Sequence, residues 1–431
     1  MSGVTVVQAG NYDLQIDTGF LQNGFTLDDP VKGVLDNTTY VLDGSTDYAS
    51  VLDGATSVAV RRGRQNIGDT FSAGTMSFTL NDTASGGVFN PFNTDSPYYD
   101  PANQQPGLAP LRAVRLLRYD VDSNIEYLFK GYIVNYEYNF NLGELDTVEV
   151  YCADDFYLLS QTSLNEYNVN ADTSGERITA VLDLPEIGFP AAARNIATGT
   201  VNLGYAAPYI VPGGTNALQY LTQIAYEAEQ GRLFMSRDGV LTFQTRIGAT
   251  LSTAAAEFND DGTNIKYNGV GISFEADEVI NRVVVRTLGD NSATAEDTAS
   301  QATYFIQTTD INNSLLDTDA AALTLAEYLL VGEPIARYTD LTTNFASLSI
   351  GQRDTVAVVD IGDTITIQKT FTAGTGTTSL AQQLSVEGIE HRINVANGHT
   401  VSYYTSPTTI QYYLILDDPV YGVLDSNNVL G

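Results

Sequence analysis

Ser57-Val-Ala-Val-Arg-Arg-Gly-Arg64, followed by Ala73-Gly-Thr-Met-Ser-Phe-Thr-Leu80, is the stretch from which the chain can be laid out. In both runs apolar and polar residues alternate, the period of a half-buried strand. A long segment, residues 81–100, comes next and is rich in Gly, Pro and aromatic residues. A connection of that length inside a compact domain usually carries a function. Leu111-Arg-Ala-Val-Arg-Leu-Leu-Arg118 then returns as a strand.

Downstream, Glu126-Tyr-Leu-Phe-Lys-Gly-Tyr-Ile-Val134 pairs back across a turn at residues 120–124. Residues 136–140 and 146–152 make a further pair. Short strands separated by turn residues predict an antiparallel barrel or sandwich over 57–164. The character changes over 165–265. Thr173-Ser-Gly-Glu176 has the form of a capping box opening a short helix. Asn216 caps a second helix, with Leu218, Leu221, Ala225 and Ala228 at helical spacing, and Arg237-Asp-Gly239 turns a hairpin. Over 266–405 strands return around one expected helix, residues 320–330 capped by Asp319, and a loop tip is expected at 372–379. Residues 1–56, read as short broken strands, form an arm and 406–431 a tail. The fold class expected is α+β, predominantly β, with a small α+β unit between two β-rich units.

The chain has 431 residues, enough for several cores. Its 52 acidic and 20 basic residues give a formal charge of −32. That excludes tight wrapping of nucleic acid, which needs a Lys/Arg surface, while an acidic wall lets a polyanion slide past. An acidic surface poor in Lys also fits a high-salt or marine setting. The single cysteine, Cys152, shares a strand face with Val148 and Val150 and reads as a small buried hydrophobe. No signal peptide or membrane span is expected.

Few motifs carry chemistry. His391 and His399 lack the spacing of a zinc pair and read as surface or half-buried residues. Asp120, Asp122 and Asn124 imitate the start of a calcium loop, but Ile125 and Gly131 stand where its Gly and Glu belong, so a hairpin turn is preferred. No nucleophile elbow, phosphate loop or dinucleotide fingerprint occurs. No catalytic residue, cofactor or metal site is expected. Arg61, Arg62 and Arg64 are the densest basic cluster, open to an acidic neighbouring subunit or to solvent.

One segment occurs twice. Leu27, Asp28, Asp29, Pro30, Val31, Gly33, Val34, Leu35 and Asp36 match Leu416, Asp417, Asp418, Pro419, Val420, Gly422, Val423, Leu424 and Asp425, with Lys32 against Tyr421. Pro30 and Pro419 favour extended backbone. Each copy could add as a strand to a sheet edge, on a neighbour or on its own chain.

The ordered series Val58-Ala-Val-Arg-Arg-Gly-Arg64, Ala73-Gly-Thr-Met76, Phe89-Asn-Pro-Phe92, Ser96-Pro-Tyr-Tyr-Asp100 and Arg112-Ala-Val-Arg115 resembles the N-terminal part of minor tail or hub proteins of long-tailed siphophages. The resemblance continues through Phe129-Lys-Gly-Tyr132, Ala153-Asp-Asp-Phe-Tyr-Leu-Leu159, Ser174-Gly-Glu-Arg-Ile178, Ile187-Gly-Phe-Pro190 and Asp238-Gly-Val-Leu-Thr-Phe243. It extends to Asn281-Arg-Val283, Leu325-Ala-Glu-Tyr-Leu329 and Val386-Glu-Gly-Ile-Glu-His391. The repeated segment also resembles segments of such tail proteins. The resemblance implies a homotrimeric tail-tip hub with two tube-like antiparallel β-barrels per chain, assembled in the host cytoplasm into the virion. It adapts a sixfold tube to a threefold tip around a channel for tape measure protein and DNA. Its other partners are distal tail or tube proteins and tip or fibre proteins. Unlike longer members, this chain stops soon after the second barrel, so no receptor-binding or cell-wall-cleaving domain is expected. A peripheral adaptor or receptor-binding protein is the alternative, favoured by 26 tyrosines. A cell-wall hydrolase is the third reading.

Overall fold

The computed structural model describes residues 12–19, 30, 48–65, 69–204, 210–245, 254–289, 291–312, 314–334, 337–373, 376–407, 412–413 and 428–429. The fold is α+β and predominantly β. Strand alternation sets its frame. β1 (Tyr12–Asp17) buries Tyr12, Leu14 and Ile16 and, with β2 (Tyr48–Ser50), joins a large sheet. The arm thus contributes two short strands among the described residues. β3 (Ala55–Gly63) and β4 (Ser72–Asn81) pair with Val58 opposite Phe78 and Val60 opposite Met76. All four side chains enter the core.

Residues 81–112 fold into a compact connection. Asn81 caps the short helix Asp82–Ser85. Phe89 is buried and stacks on Tyr98 at 5.7 Å, and Tyr136 Oη donates to the Phe89 carbonyl at 2.6 Å. β5 (Ala113–Tyr119), β6 (Ile125–Asn139) and β7 (Thr147–Ala153) follow. β6 is a single strand where the sequence reading expects two. With no Gly or Pro at that point to break it, a bulge between Ile133 and Asn135 absorbs the irregularity. The turn at 120–124 is a hairpin turn, its Asp120 carboxylate accepting from the Asp122 and Asn124 amides. Asp154 caps α1 (Asp155–Gln161).

The expected caps then appear. α2 (Ser174–Leu182) begins with the Thr173–Glu176 capping box. β8 (Arg194–Ile196) leads to α3 (Ala217–Thr222), capped by Asn216 and continued by a π-helical segment, Gln223–Ala228. β9 (Arg232–Met235) and β10 (Leu241–Gln244) form the hairpin, and β8 adds beside β10. Gly239 at its turn has φ 78°, a left-handed conformation that favours glycine.

β11 (Ala256–Asn259), β12 (Ile265–Lys266) and β13 (Gly269–Ser273) precede a small sheet of β14 (Arg282–Arg286), β15 (Ser292–Glu296) and β16 (Thr308–Ile311). Among the described residues three α-helices lie in this region, not one: α4 (Thr298–Tyr304), α5 (Asp319–Tyr328) and α6 (Ile350–Val358). Thr318, not Asp319, caps α5. α6 opens with a second capping box, Ser349 and Gln352. β17 (Arg337–Asn344), β18 (Thr364–Ala373), β19 (Gly376–Asn394) and β20 (Gly398–Pro407) complete the chain's large sheet. The loop tip expected at 372–379 is largely paired strand, with Ala373 opposite Gly376.

That sheet has fourteen strands in the order β12-β11-β18-β19-β3-β4-β7-β6-β5-β1-β2, with β13-β17-β20 branching from β19. Strand β19 therefore joins the two β-rich stretches. Its residues from Gly388 to Asn394 run antiparallel to β3 from Gly63 to Ser57. Of the repeated segments, only Pro30, an exposed turn residue, is among the described residues. The rest of 27–36 and all of 416–425 lie outside them.

Candidate functional site

The charged and titratable side chains converge where β3, the β9–β10 hairpin and β19 meet. The basic cluster divides by strand parity. Arg62 and Arg64 share the face of Val58 and Val60, so they point inward, and only Arg61 is exposed. This corrects the expectation that all three are open to a neighbour or to solvent. The signal lay in the alternation itself.

Glu387, 1 % exposed, is the centre of the junction. It accepts from Arg64 Nε at 2.8 Å, Arg232 Nη2 at 2.8 Å and Ser406 Oγ at 2.6 Å. Burial opposes its charge, but Arg232 and Arg64 together hold the carboxyl below its usual range. Backbones approach closely here. Gly63 has φ 84°, and a Cβ on it would lie 2.3 Å from the Glu387 carbonyl oxygen. Beside this site, Arg62 Nη1 donates to Asp360 Oδ1 at 2.7 Å. The second oxygen of Asp360 accepts from the Arg237 amide at 2.8 Å, and Arg237 Nη1 reaches the Tyr127 carbonyl at 3.1 Å. The two acids thus clamp the middle hairpin to both β-rich stretches.

A second buried chain lies nearby. Tyr12 Oη and His399 Nδ1 are 2.6 Å apart, and His399 Nε2 lies 3.0 Å from His391 Nδ1. Phe345 packs on His399 with centroids 4.0 Å apart. Arg118 sits over Phe345 and pairs with Glu126 and Asp354. Both histidines are buried, correcting the surface or half-buried expectation. Burial, then Arg62 and Arg237, lower His391 to about 3; burial, His391 and Arg118 push His399 well below its ordinary value. His391 shares a strand face with Ile389 and Ile393, which marks it as inward. The contact of His399 with Tyr12 crosses 387 residues and has no local signature.

Arg61 lies on the opposite, polar face of the sheet, over the Tyr404 ring at 5.7 Å. Tyr404 Oη and Arg392 Nε both donate to Glu390. Ser57, Ser77, Thr79, Glu149 and Tyr151 continue this face around a shallow recess. Cys152 is buried and burial raises its thiol. Among the described residues, no group of three or more His, Cys, Asp or Glu is placed to hold a metal ion, and no helix is long and apolar enough to cross a membrane.

The sequence matches no family model and no curated protein. Solved structures do match. The tail protein from Neisseria meningitidis MC58 superposes with a TM-score of 0.55 at 13 % identity, over 92 % of this chain and 96 % of that one. The 43 kDa tail protein of prophage MuSo2 from Shewanella oneidensis gives 0.54 at 12 %, over 93 % and 97 %. The chain thus has the fold of these two tail proteins over nearly its whole length.

Proposed function

We propose that the chain is a structural protein of a phage tail tip, a hub of three copies that adapts the sixfold tail tube to the threefold tip. The observation that carries this is the likeness of fold to two tail proteins over nearly the whole of each chain. Residues 57–164 and 266–405 supply two tube-like barrels, so three chains present six around a channel for tape measure protein and DNA. The polar face around Arg61 suits such a wall. Its hydroxyl-bearing Ser57, Ser77 and Thr79 offer DNA few cationic anchors. Residues 27–36 and 416–425 meet neighbouring tail proteins.

The chemistry of the inward site supports a structural role. Its buried charges are paired with each other across three parts of the chain and leave no arranged nucleophile and base. The test is the mass of the purified chain by light scattering at low and high salt. A trimer is expected, favoured by salt because screening reduces repulsion between chains of charge −32. A monomer at every salt concentration would overturn the self-assembling ring and favour a peripheral adaptor.

A further inference from the structure

The loop after α4 holds two apolar side chains in solvent. Phe305 is 80 % exposed and Ile306 60 %. Phe305 has φ 62° and ψ 176°, a backbone region essentially confined to glycine. The buried Asn281 imposes that conformation. Its Nδ2 donates to the Phe305 carbonyl at 2.7 Å, and its Oδ1 accepts from the Gln307 amide at 2.8 Å. The Asn281 and Arg282 amides both donate to the Gln307 carbonyl at 3.1 Å. Strain kept in place by this many bonds marks a segment whose shape has a use. The surroundings show which. The chain holds 52 acidic and 20 basic residues, yet residues 298–309 carry no charge. Between two copies of charge −32, an uncharged patch is where the surfaces approach with least repulsion.

A matching recess lies at the other end of the same small sheet. Phe305 precedes the first residue of β16, and Leu316 lies beyond its last. There the Leu288 and Gly204 amides donate to the Leu316 and Leu315 carbonyls. An open recess of about 500 Å³ sits at this end, between α5 and the 165–265 unit. Its lining includes the buried Leu203, Ala228, Leu316 and Leu325 and, nearer solvent, Asp172 and Asp317. The leucines suit an apolar visitor, and the two carboxylates disfavour an acidic one.

We propose that Phe305 and Ile306 of one copy seat in this recess of the next copy. The contact rests on the three-copy reading above and specifies its interface. Knob and recess are different surfaces at opposite ends of one sheet, so they cannot meet within one molecule. Their contact is heterologous, the kind that builds a ring when the rotation closes. Asn281 positions the knob.

The test uses the full-length protein. Phe305→Cys is combined with Thr324→Cys, an exposed position on the recess; native Cys152 is buried. Mild oxidation is expected to give covalent dimers and trimers on a non-reducing gel from the double variant and from neither single variant. No cross-link in the double variant, or a dimer from Phe305→Cys alone, would overturn the proposal. Phe305→Gly supplies a second readout. The trimer seen by light scattering should be lost. Compared at a dilution where both proteins are single chains, the variant should unfold at the same denaturant concentration or higher, because strain relief offsets the extra freedom of glycine in the unfolded chain. Unfolding at a lower concentration would mean that Phe305 supports its own chain and would count against docking. A native trimer that survives Phe305→Gly overturns this contact alone and leaves the knob to a different tail protein. A native monomer at every salt concentration overturns the three-copy reading and this contact together.

Discussion

Replacing Glu387 with Gln keeps the shape of the side chain and removes its charge. In the native junction that charge faces Arg64, whose side chain is 6 % exposed, and Arg232, at 14 %. The amide of Gln can still accept from Ser406, but its NH2 group turns a donor toward a guanidinium. Two cations, the buried Arg64 and the half-buried Arg232, are then left without their anion. Breaking a buried pair in this way costs about 3–5 kcal/mol, which lowers the folding equilibrium at least about a hundredfold. The control is Glu390→Gln on the same strand. Glu390 pairs with an exposed Arg392, and such pairs contribute about 0–1 kcal/mol. The chain has no Trp and 26 Tyr, so tyrosine fluorescence and circular dichroism can follow denaturant unfolding. Adding Arg232→Met to Glu387→Gln should recover part of the loss, since one stranded cation is gone. If Glu387→Gln costs no more than Glu390→Gln, the junction does not hold the three parts together.

The histidines give a pH dependence of known sign. The folded state keeps His391 neutral down to about pH 3 and His399 neutral as well, whereas the unfolded chain protonates both below about 6.5. Stability should therefore be full above 6.5 and fall as pH drops toward 3, by on the order of 4 kcal/mol for His391. As the chain has two histidines, imidazole NMR signals can check this directly; either ring titrating near 6.5 in the folded protein would contradict the buried relay. Ser349→Ala removes the cap of α6 and should cost about 1 kcal/mol in thermal or denaturant unfolding. A change under a few tenths would mean that α6 is held by its packing alone, including the bond from Tyr403 Oη to the Val356 carbonyl.

Local chemistry was legible in the sequence where one short range decides the structure. The β3–β4 alternation, the Thr173–Glu176 box, the Asn216 cap and the Asp238-Gly239 turn all depend on neighbours a few residues apart. α6 carried the same kind of signal in Ser349 and Gln352, but its moderately polar face resembles a loop. The contacts of Glu387 were not legible. Arg64, Arg232 and Ser406 come from three separate parts of the chain, and charge gives no indication of partner when the chain holds 52 acids. The burial of Arg62, Arg64 and His391 was readable from strand parity, because each shares a face with Val or Ile. Their charge argued for solvent, and pairing inside the fold overrode that preference.

The position of β19 has a consequence for synthesis. The strand that β3 needs lies 323 residues later, as the spacing of Arg64 and Glu387 measures. At about 5–20 residues per second, the ribosome delivers it roughly 16–65 s after β3 emerges. During that interval the early strands can pair among themselves, but the β3 edge stays open and Arg62 and Arg64 have no anions. The two guanidinium groups on that edge then act as gatekeepers, discouraging aggregation of the nascent chain until the late strand arrives. The residues that tie the finished protein together would thus also protect its unfinished form.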